Sequence, residues 1–281
     1  MAEGLLKQLE KPSCKFLVYA SAGRHSNCRS WVKGPKRFDL WITSYTDEET
    51  GLKDVADYYH ERKGGKFPNL HHAYNTWPEI FKEYDAIFVM DDDLDISGRR
   101  ISFLFKVLFK FDLDILQPAF SQFGKWSHKV TRAKLFSFLR YTNFVEVTCP
   151  LFRADKLFEF LSVYDPVLVG WGVDHWFMQT LIGESKTKAA VVDAAVAVNP
   201  FDEFKGQREI DDLQSRSNRI AVWTQIQETR AVCDVDPLCE WSMVRKWNHF
   251  RFYSGTCLTL LTKLWVRLRV ICRVDPSQRV R

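Results

Sequence analysis

Asp85-Ala86-Ile87-Phe88-Val89-Met90-Asp91-Asp92-Asp93-Leu94-Asp95 is an apolar run that breaks into four carboxylates within five positions. A continuous apolar run of this length bounded by polar residues reads as a buried strand, which delivers the acids to the C-terminal edge of a sheet. Open α/β folds receive their ligands at that edge. Packed like charges repel and raise one another's pKa, a cost that a divalent cation among them relieves. Hard carboxylate oxygens suit Mn2+ or Mg2+. The competing reading is a solvated acidic turn that caps the helix expected to start near Ser97.

Outward from this strand the pattern alternates. Lys15-Phe16-Leu17-Val18-Tyr19-Ala20 and Phe38-Asp39-Leu40-Trp41-Ile42-Thr43 read as earlier strands. Leu70, Tyr74, Trp77, Phe81 and Tyr84 recur at spacings of three and four, which predicts a helix. Pro78 is expected to break it in two, with Thr76 and Glu79 as a capping box for the second piece. After the acids, Ile101, Leu104, Phe105 and Leu108 share one helical face, and Ile115-Leu116-Gln117 reads as a strand. Residues 120–138 lack periodicity and are expected to form an irregular loop, a length that usually signals function. Val145–Thr148 is a strand candidate, Ala154–Tyr164 a helix, and Ala189–Val198 an apolar strand ended by Asn199-Pro200. From about residue 204 the chain turns polar and then helical through Ile220, Trp223 and Ile226. The alternation predicts an α/β domain over residues 1–205, with a mixed central sheet flanked by helices, and a helical C-terminal region over 206–281.

Composition bounds the partners. The 281 residues are 46% hydrophobic and 27% charged, as in soluble globular proteins, and the 15% aromatic content fits either a large core or sugar stacking. Residues 259–281 carry six bases against Asp275, which accounts for the whole net charge of +5. The body is therefore neutral, and nucleic acid is not an expected partner. Seven scattered cysteines without C-x-x-C spacing suit a reducing compartment. The start of the chain has no signal-peptide pattern, so a cytoplasmic protein is expected, peripheral on the cytoplasmic face of the plasma membrane. Leu258, Leu260, Leu261, Leu264, Trp265, Leu268, Ile271 and Cys272 fall on one half of a helical wheel, with Lys263, Arg267, Arg269 and Arg273 on the other. Such a basic amphipathic helix suits an anionic membrane surface, or else docks on the body.

Four segments occur in order: Gly64-Gly65-Lys66-Phe67-Pro68, the acidic strand end, Arg140-Tyr141-Thr142-Asn143-Phe144-Val145-Glu146-Val147, and Gly170-Trp171-Gly172-Val173-Asp174-His175-Trp176. Over roughly residues 15–205 they resemble the "domain of unknown function 707" family, itself similar to nucleotide-sugar glycosyltransferases of the GT-A fold. The resemblance implies metal-dependent transfer of a sugar from a nucleoside-diphosphate donor, and a basic tail at a membrane surface suits a lipid-linked or polysaccharide acceptor. Mn2+ or Mg2+ would stabilise the leaving diphosphate as a Lewis acid.

By that resemblance Asp91 and Asp93 form a D-x-D pair, with Asp93 the first choice for metal ligand and Asp92 and Asp95 in the complementary donor-binding role. Asp174 follows Gly-Trp-Gly as the acceptor base of an inverting enzyme, against a bland role as helix N-cap. Trp171 and Trp176 are candidates for sugar stacking. Lys66 and Arg140 are candidates for the diphosphate or an acidic acceptor, and Asn143 and Glu146 for sugar hydroxyls. Arg24 and Asp47 follow the first two strands, where such folds receive the nucleoside. Asn199 stands where family members tend to carry His, a poorer metal ligand in that place. Two other readings are a metal-dependent phosphoesterase, for which His71-His72 is the only adjacent His pair, and a non-catalytic, membrane-recruited sugar-nucleotide-binding protein.

Overall fold

The computed structural model describes residues 4–182, 188–201, 209–237 and 239–244. Its first half runs β1 (Phe16–Ala22), α1 (Cys28–Trp31), β2 (Asp39–Ser44), α2 (Leu52–Val55), β3 (Tyr58–Glu61), α3 (Lys66–Thr76), α4 (Pro78–Lys82), β4 (Ala86–Asp91) and α5 (Gly98–Lys110). The second half runs β5 (Ile115–Phe120), β6 (Leu139–Thr142), β7 (Leu151–Arg153), α6 (Ala154–Val163), α7 (Val173–Ile182), β8 (Ala189–Ala197), α8 (Glu209–Leu213), α9 (Arg216–Arg230) and β9 (Cys239–Val244).

Among the described residues the strands form one nine-stranded mixed sheet in the order β3-β2-β1-β4-β7-β5-β8-β6-β9. β3, β2, β1 and β4 are mutually parallel. β7 lies antiparallel to both β4 and β5, and β8 runs parallel to β5. β4, β5 and β8 therefore end at the same sheet edge. The segments that follow them, 92–95, 121–138 and 198–201, are gathered there by topology alone.

Strand periodicity splits the core into two layers. Val18, Ala20, Phe88 and Met90 face one side with α5, while Leu17, Tyr19, Ile87 and Val89 face the other with α3, α6 and α7. Ile101, Leu104, Phe105 and Leu108 of α5 are fully buried, as the spacing predicted. Each contributes roughly 1.5–3 kcal/mol on burial. Trp223 and Ile226 of α9 join the second layer, and β9 pairs with β6, so α9 and β9 belong to the same core and sheet.

Two local expectations are corrected, and one strand is added. The helix does break at Pro78, but no capping box forms: Trp77 is the N-cap, and the Thr76 hydroxyl donates back to the His72 carbonyl at 2.8 Å. Residues 145–148 are not a strand but a turn crossing the tip of β4, because Lys66 and the Asp91 amide take the carbonyls that a ladder would need. β3 was not anticipated. It is a four-residue edge strand, covered by the N-terminal segment through Leu6 and Lys7.

Cys14, Cys28, Cys149 and Cys233 are free thiols. No helix among the described residues is long and apolar enough to cross a membrane. The amphipathic segment 258–273 lies outside the described residues, as do Cys257 and Cys272.

Candidate active site

β4 ends at Asp91, and the acidic turn beyond it is fixed from three sides. The Asn27 amide nitrogen donates to the Asp92 carbonyl at 2.6 Å, and the Asn27 side chain donates to the Asp93 carbonyl. Trp31 Nε1 donates to the Leu94 carbonyl at 3.0 Å. Asp95 and Val198 exchange backbone hydrogen bonds at 2.9 and 3.0 Å, which ties the turn to the end of β8 beside Asn199. Ser97 caps α5 by accepting from the Arg100 amide at 3.4 Å, so the acids are not spent on that helix end.

The carboxylates differ in environment. Asp91 Oδ1 receives the Lys66 ammonium at 2.6 Å. Lys66 opens α3 after an extended Gly65, and also donates to the carbonyls of Val147 at 2.6 Å and Thr148 at 3.1 Å. Asp92 Oδ2 accepts from the Gly23 amide at 3.0 Å and the Tyr45 hydroxyl at 3.4 Å. A Cβ at Gly23 would meet the Tyr45 ring at 2.4 Å, so a side chain there would push the Tyr45 hydroxyl away from Asp92. Burial pushes Asp92 up to about 7, the Gly23 amide partly opposes this, and the charges of Asp93 and Asp91 add to the rise.

The turn at 146–148 links this cluster to a second one. The Asp91 amide donates to the Thr148 carbonyl at 2.9 Å, while the Val147 amide donates to Asp174 Oδ2 at 3.3 Å. Asp174 lies in the first turn of α7, and its Oδ1 also accepts from the His175 amide at 3.1 Å. The preceding Gly172 has φ +94° and packs where a Cβ would meet the Trp223 ring at 2.3 Å, which sets the tight lead-in to α7. Burial raises the Asp174 pKa, and the nearby His175, Val147 amide and His128 moderate it.

Glu146 is 2% exposed. It accepts from the Thr131 hydroxyl and from the His128 amide at 3.3 Å, and its own amide donates to Gln117 Oε1 at 2.6 Å. Burial pushes it up to about 7, the Thr131 hydroxyl pulls it back, and Asp174 raises it again. His128 is held below the ordinary imidazole range by burial, with Asp174 opposing. The Phe144 ring sits between His128, at 4.5 Å, and His175, at 5.3 Å.

Of the expected site residues, Asp91, Lys66, Glu146 and Asp174 are thus joined through the 146–148 turn, and Asp92, Asp93 and Asp95 follow Asp91 in the acidic turn. Asn199 is buried on the adjoining 198–201 segment, its carbonyl accepting from the Lys125 amide at 2.8 Å. The others lie elsewhere. Arg24 pairs with Glu48 at 3.2 Å and Asp47 with Lys63, both on exposed loops after β1 and β2. Asn143 donates to the Asp236 carbonyl at 2.8 Å and anchors the segment after α9. Trp171 is 50% exposed on the loop before α7.

Trp176 is corrected from sugar stacking to core: it is buried, with its ring 5.8 Å from Tyr164 and 6.1 Å from Phe160. Arg140 is corrected from the diphosphate to a buried ion pair. Its guanidinium meets Asp193 in a bidentate pair at 2.8 and 3.0 Å and donates to the carbonyls of Val130 and Arg132. His71 bonds Asn75 on α3, and His72 faces Trp77, so this pair belongs to a helix rather than to the acidic turn.

Gly23, Asn27, Tyr45, Gln117, His128 and Thr131 complete the site without having been anticipated. Each acts through a contact between segments far apart in sequence, and their surroundings have no period to read. The only hint was the length of the 120–138 loop that carries His128 and Thr131.

Among the described residues no three His, Cys, Asp or Glu side chains converge as a ready-made metal cage. A Mg2+ or Mn2+ ion that serves a diphosphate takes only one or two protein carboxylates, the rest being phosphate oxygens and water. Asp91 and Asp93 fit that partial donor set, and the rise they impose on Asp92 is the repulsion such a cation would relieve.

Solved structures similar to this chain include the S. aureus TarS fragment 1–349 at 12% identity and a TM-score of 0.46, covering 66% of this chain and 60% of that one. The same fragment in complex with UDP-GlcNAc matches at 12% identity and 0.45, covering 69% and 61%. GalNAc-T7 with UDP, GalNAc and Mn2+ matches at 12% identity and a TM-score of 0.53, covering 76% of this chain and 48% of that one. The chain therefore spans about three fifths or less of these proteins' lengths. No family model matches it, and no curated protein does. The likeness to GalNAc-T7 agrees with the mixed sheet and flanking helices: the chain has a GT-A-like glycosyltransferase fold. No family model supports the resemblance to the family of unknown function 707.

Proposed function

We propose that the protein is a metal-dependent glycosyltransferase that moves a sugar from a nucleoside-diphosphate donor to a lipid-linked or polysaccharide acceptor at the cytoplasmic face of a membrane. One observation carries this reading: the 146–148 turn is hydrogen-bonded to Asp91 and Lys66 on one side and to Asp174 on the other. A cationic and acidic pole suited to a diphosphate is thereby held beside a carboxylate suited to deprotonate a hydroxyl. GalNAc-T7, which has the same fold, was solved with UDP and Mn2+, and this supports a nucleotide-sugar donor and a divalent ion.

Asp93 and Asp91 would hold the ion, which supplies Lewis-acid stabilisation of the departing diphosphate. Lys66, whose ammonium is engaged by Asp91 and the carbonyls of Val147 and Thr148, balances the charge of Asp91 and holds the acidic turn against the 146–148 turn. Asp92, held by Gly23 and Tyr45, and Asp95, held by Val198, keep the turn in register for the donor. Arg24 and Asp47 border the nucleoside end. Asp174 takes the acceptor proton, and its raised pKa brings its basicity toward that task. Glu146 fixes the His128 turn beside it, Trp171 offers an exposed ring to the acceptor, and Asn199 closes the rear of the acidic turn. Inversion by direct displacement follows if Asp174 acts as the single base.

The test is nucleotide release from a panel of nucleotide sugars with Mn2+. Release is expected to fall by about 10²-fold or more in Asp174→Asn, the usual share of a general base. Asp93→Asn is expected to raise the Mn2+ concentration needed for half-maximal release. Binding of a nucleotide sugar without release, unaltered by Asp174→Asn, would replace this reading with that of a non-catalytic binding protein.

A further inference from the structure

The loop between β5 and β6 carries a feature that the transfer chemistry does not use. Its tip presents Leu135 and Phe136 side by side, 59% and 69% exposed. Phe136 has φ +62°, a left-handed conformation that costs energy for a bulky aromatic and is kept only where surrounding structure enforces it. The enforcing structure grips residues 130–134, just ahead of the tip. Buried Arg140 donates to the carbonyls of Val130 and Arg132, and its partner Asp193 accepts from the Lys134 amide at 2.9 Å. The Ala133 amide donates to the Phe120 carbonyl at 2.8 Å. A buried ion pair thus holds the stretch leading to the tip, where both apolar side chains keep most of their surface exposed.

Buried Asp193 neutralises buried Arg140, and the exposed charge of the segment itself is one-signed. From Ile115 to Val145 the chain holds Lys125, Lys129, Arg132, Lys134 and Arg140 and no Asp or Glu. Lys129, Arg132 and Lys134 are exposed, and Arg132 lies over the Trp126 ring at 5.5 Å. Two protruding apolar side chains amid basic residues match an anionic bilayer, whose acyl boundary takes the first and whose headgroups attract the second. A soluble polyanion would satisfy only the charge.

We propose that the 129–136 tip is a membrane-docking element that inserts Leu135 and Phe136 into an anionic bilayer surface. Because β5 and β4 end at the same sheet edge, docking there turns the acidic cluster and His128 toward the membrane. The inference extends the proposal of a membrane-borne acceptor but is read without donor or metal, so either can fail alone.

The full chain is sedimented with vesicles of phosphatidylcholine containing phosphatidylserine, and with phosphatidylcholine alone. Leu135→Ser/Phe136→Ser is expected to weaken partition to the anionic vesicles by about tenfold or more. Lys129→Gln and Lys134→Gln are each expected to weaken it by about fivefold, the effect of one charge near the surface. Far-UV circular dichroism and thermal unfolding check that each variant keeps its fold. Hydrogen exchange on the unaltered chain separates this tip from any other contact: vesicle-dependent protection is expected in peptides spanning 129–138. Protection confined to other segments, or partition unchanged by the Leu135 and Phe136 substitutions, overturns the proposal. Loss with the lysine substitutions alone would mean charge attraction without insertion, which overturns it equally.

Discussion

The Lys66 ammonium stands 2.6 Å from Asp91 Oδ1 and equally close to the Val147 carbonyl, so one side chain joins the acidic turn to the segment that carries the Asp174 contact. Lys66→Met leaves Asp91 and two carbonyls without that donor. A loss of about 1–3 kcal/mol in urea unfolding is expected. Nucleotide release is expected to fall much further than this loss of stability explains, because both halves of the site lose their common tie. Release equal to that of the parent protein would show that Lys66 is structural only.

Glu146 makes stability fall as pH rises. Its folded pKa, about 7, lies above the ordinary 4.5, so the native state binds the proton more tightly than the unfolded chain. That contribution is fully present below about 4.5 and is lost as pH climbs through about 7. The difference corresponds to about 3 kcal/mol. Glu146→Gln keeps an oxygen acceptor for Thr131 and removes the ionisation. Urea unfolding from pH 5 to 8 is expected to show the variant gaining on the parent protein, by up to that amount. Parallel curves would remove burial as the cause.

Two tryptophans of one motif separate core from surface. Trp176→Ala is expected to cost about 3–5 kcal/mol, since the ring is enclosed by Tyr164 and Phe160. Trp171→Ala is expected to change stability by less than about 0.5 kcal/mol, because half of it faces solvent. Any kinetic effect of Trp171→Ala should then appear in the acceptor KM rather than in unfolding.

The contrast between these residues shows what the sequence could and could not convey. β4, β8 and α5 were legible because burial on a regular element imposes a period, and their apolar positions follow it. The four acids were legible because apolar strand and charge meet abruptly at Asp91. Trp176, one of two tryptophans in the Gly-Trp-Gly segment, was misread because a motif names residue types and not directions: the helical turn between it and Trp171 points one inward. Val145–Thr148 had the β-branched composition of a strand, but the carbonyls of Val147 and Thr148 go to Lys66, an allocation between segments 81 and 82 residues apart. His128 and Thr131 were illegible for the same reason, since the buried Glu146 and the Phe144 ring bring their turn to the Asp174 side of the site.

Arg140 and Asp193 give the last prediction. Both are buried, and a buried pair loses far more when one partner goes than when both do, because the remaining charge has no water to return to. Arg140→Met is expected to cost about 3–5 kcal/mol, and Arg140→Met/Asp193→Leu to recover part of it. The double variant still lacks the donors to Val130 and Arg132 and the acceptor for Lys134, so the tip loses its base even where global stability returns. Limited trypsin digestion of the double variant should therefore cut first at Lys129, Arg132 or Lys134, at a rate well above the parent's. Equal cleavage rates, with stability restored, would mean that the loop holds its shape without the pair.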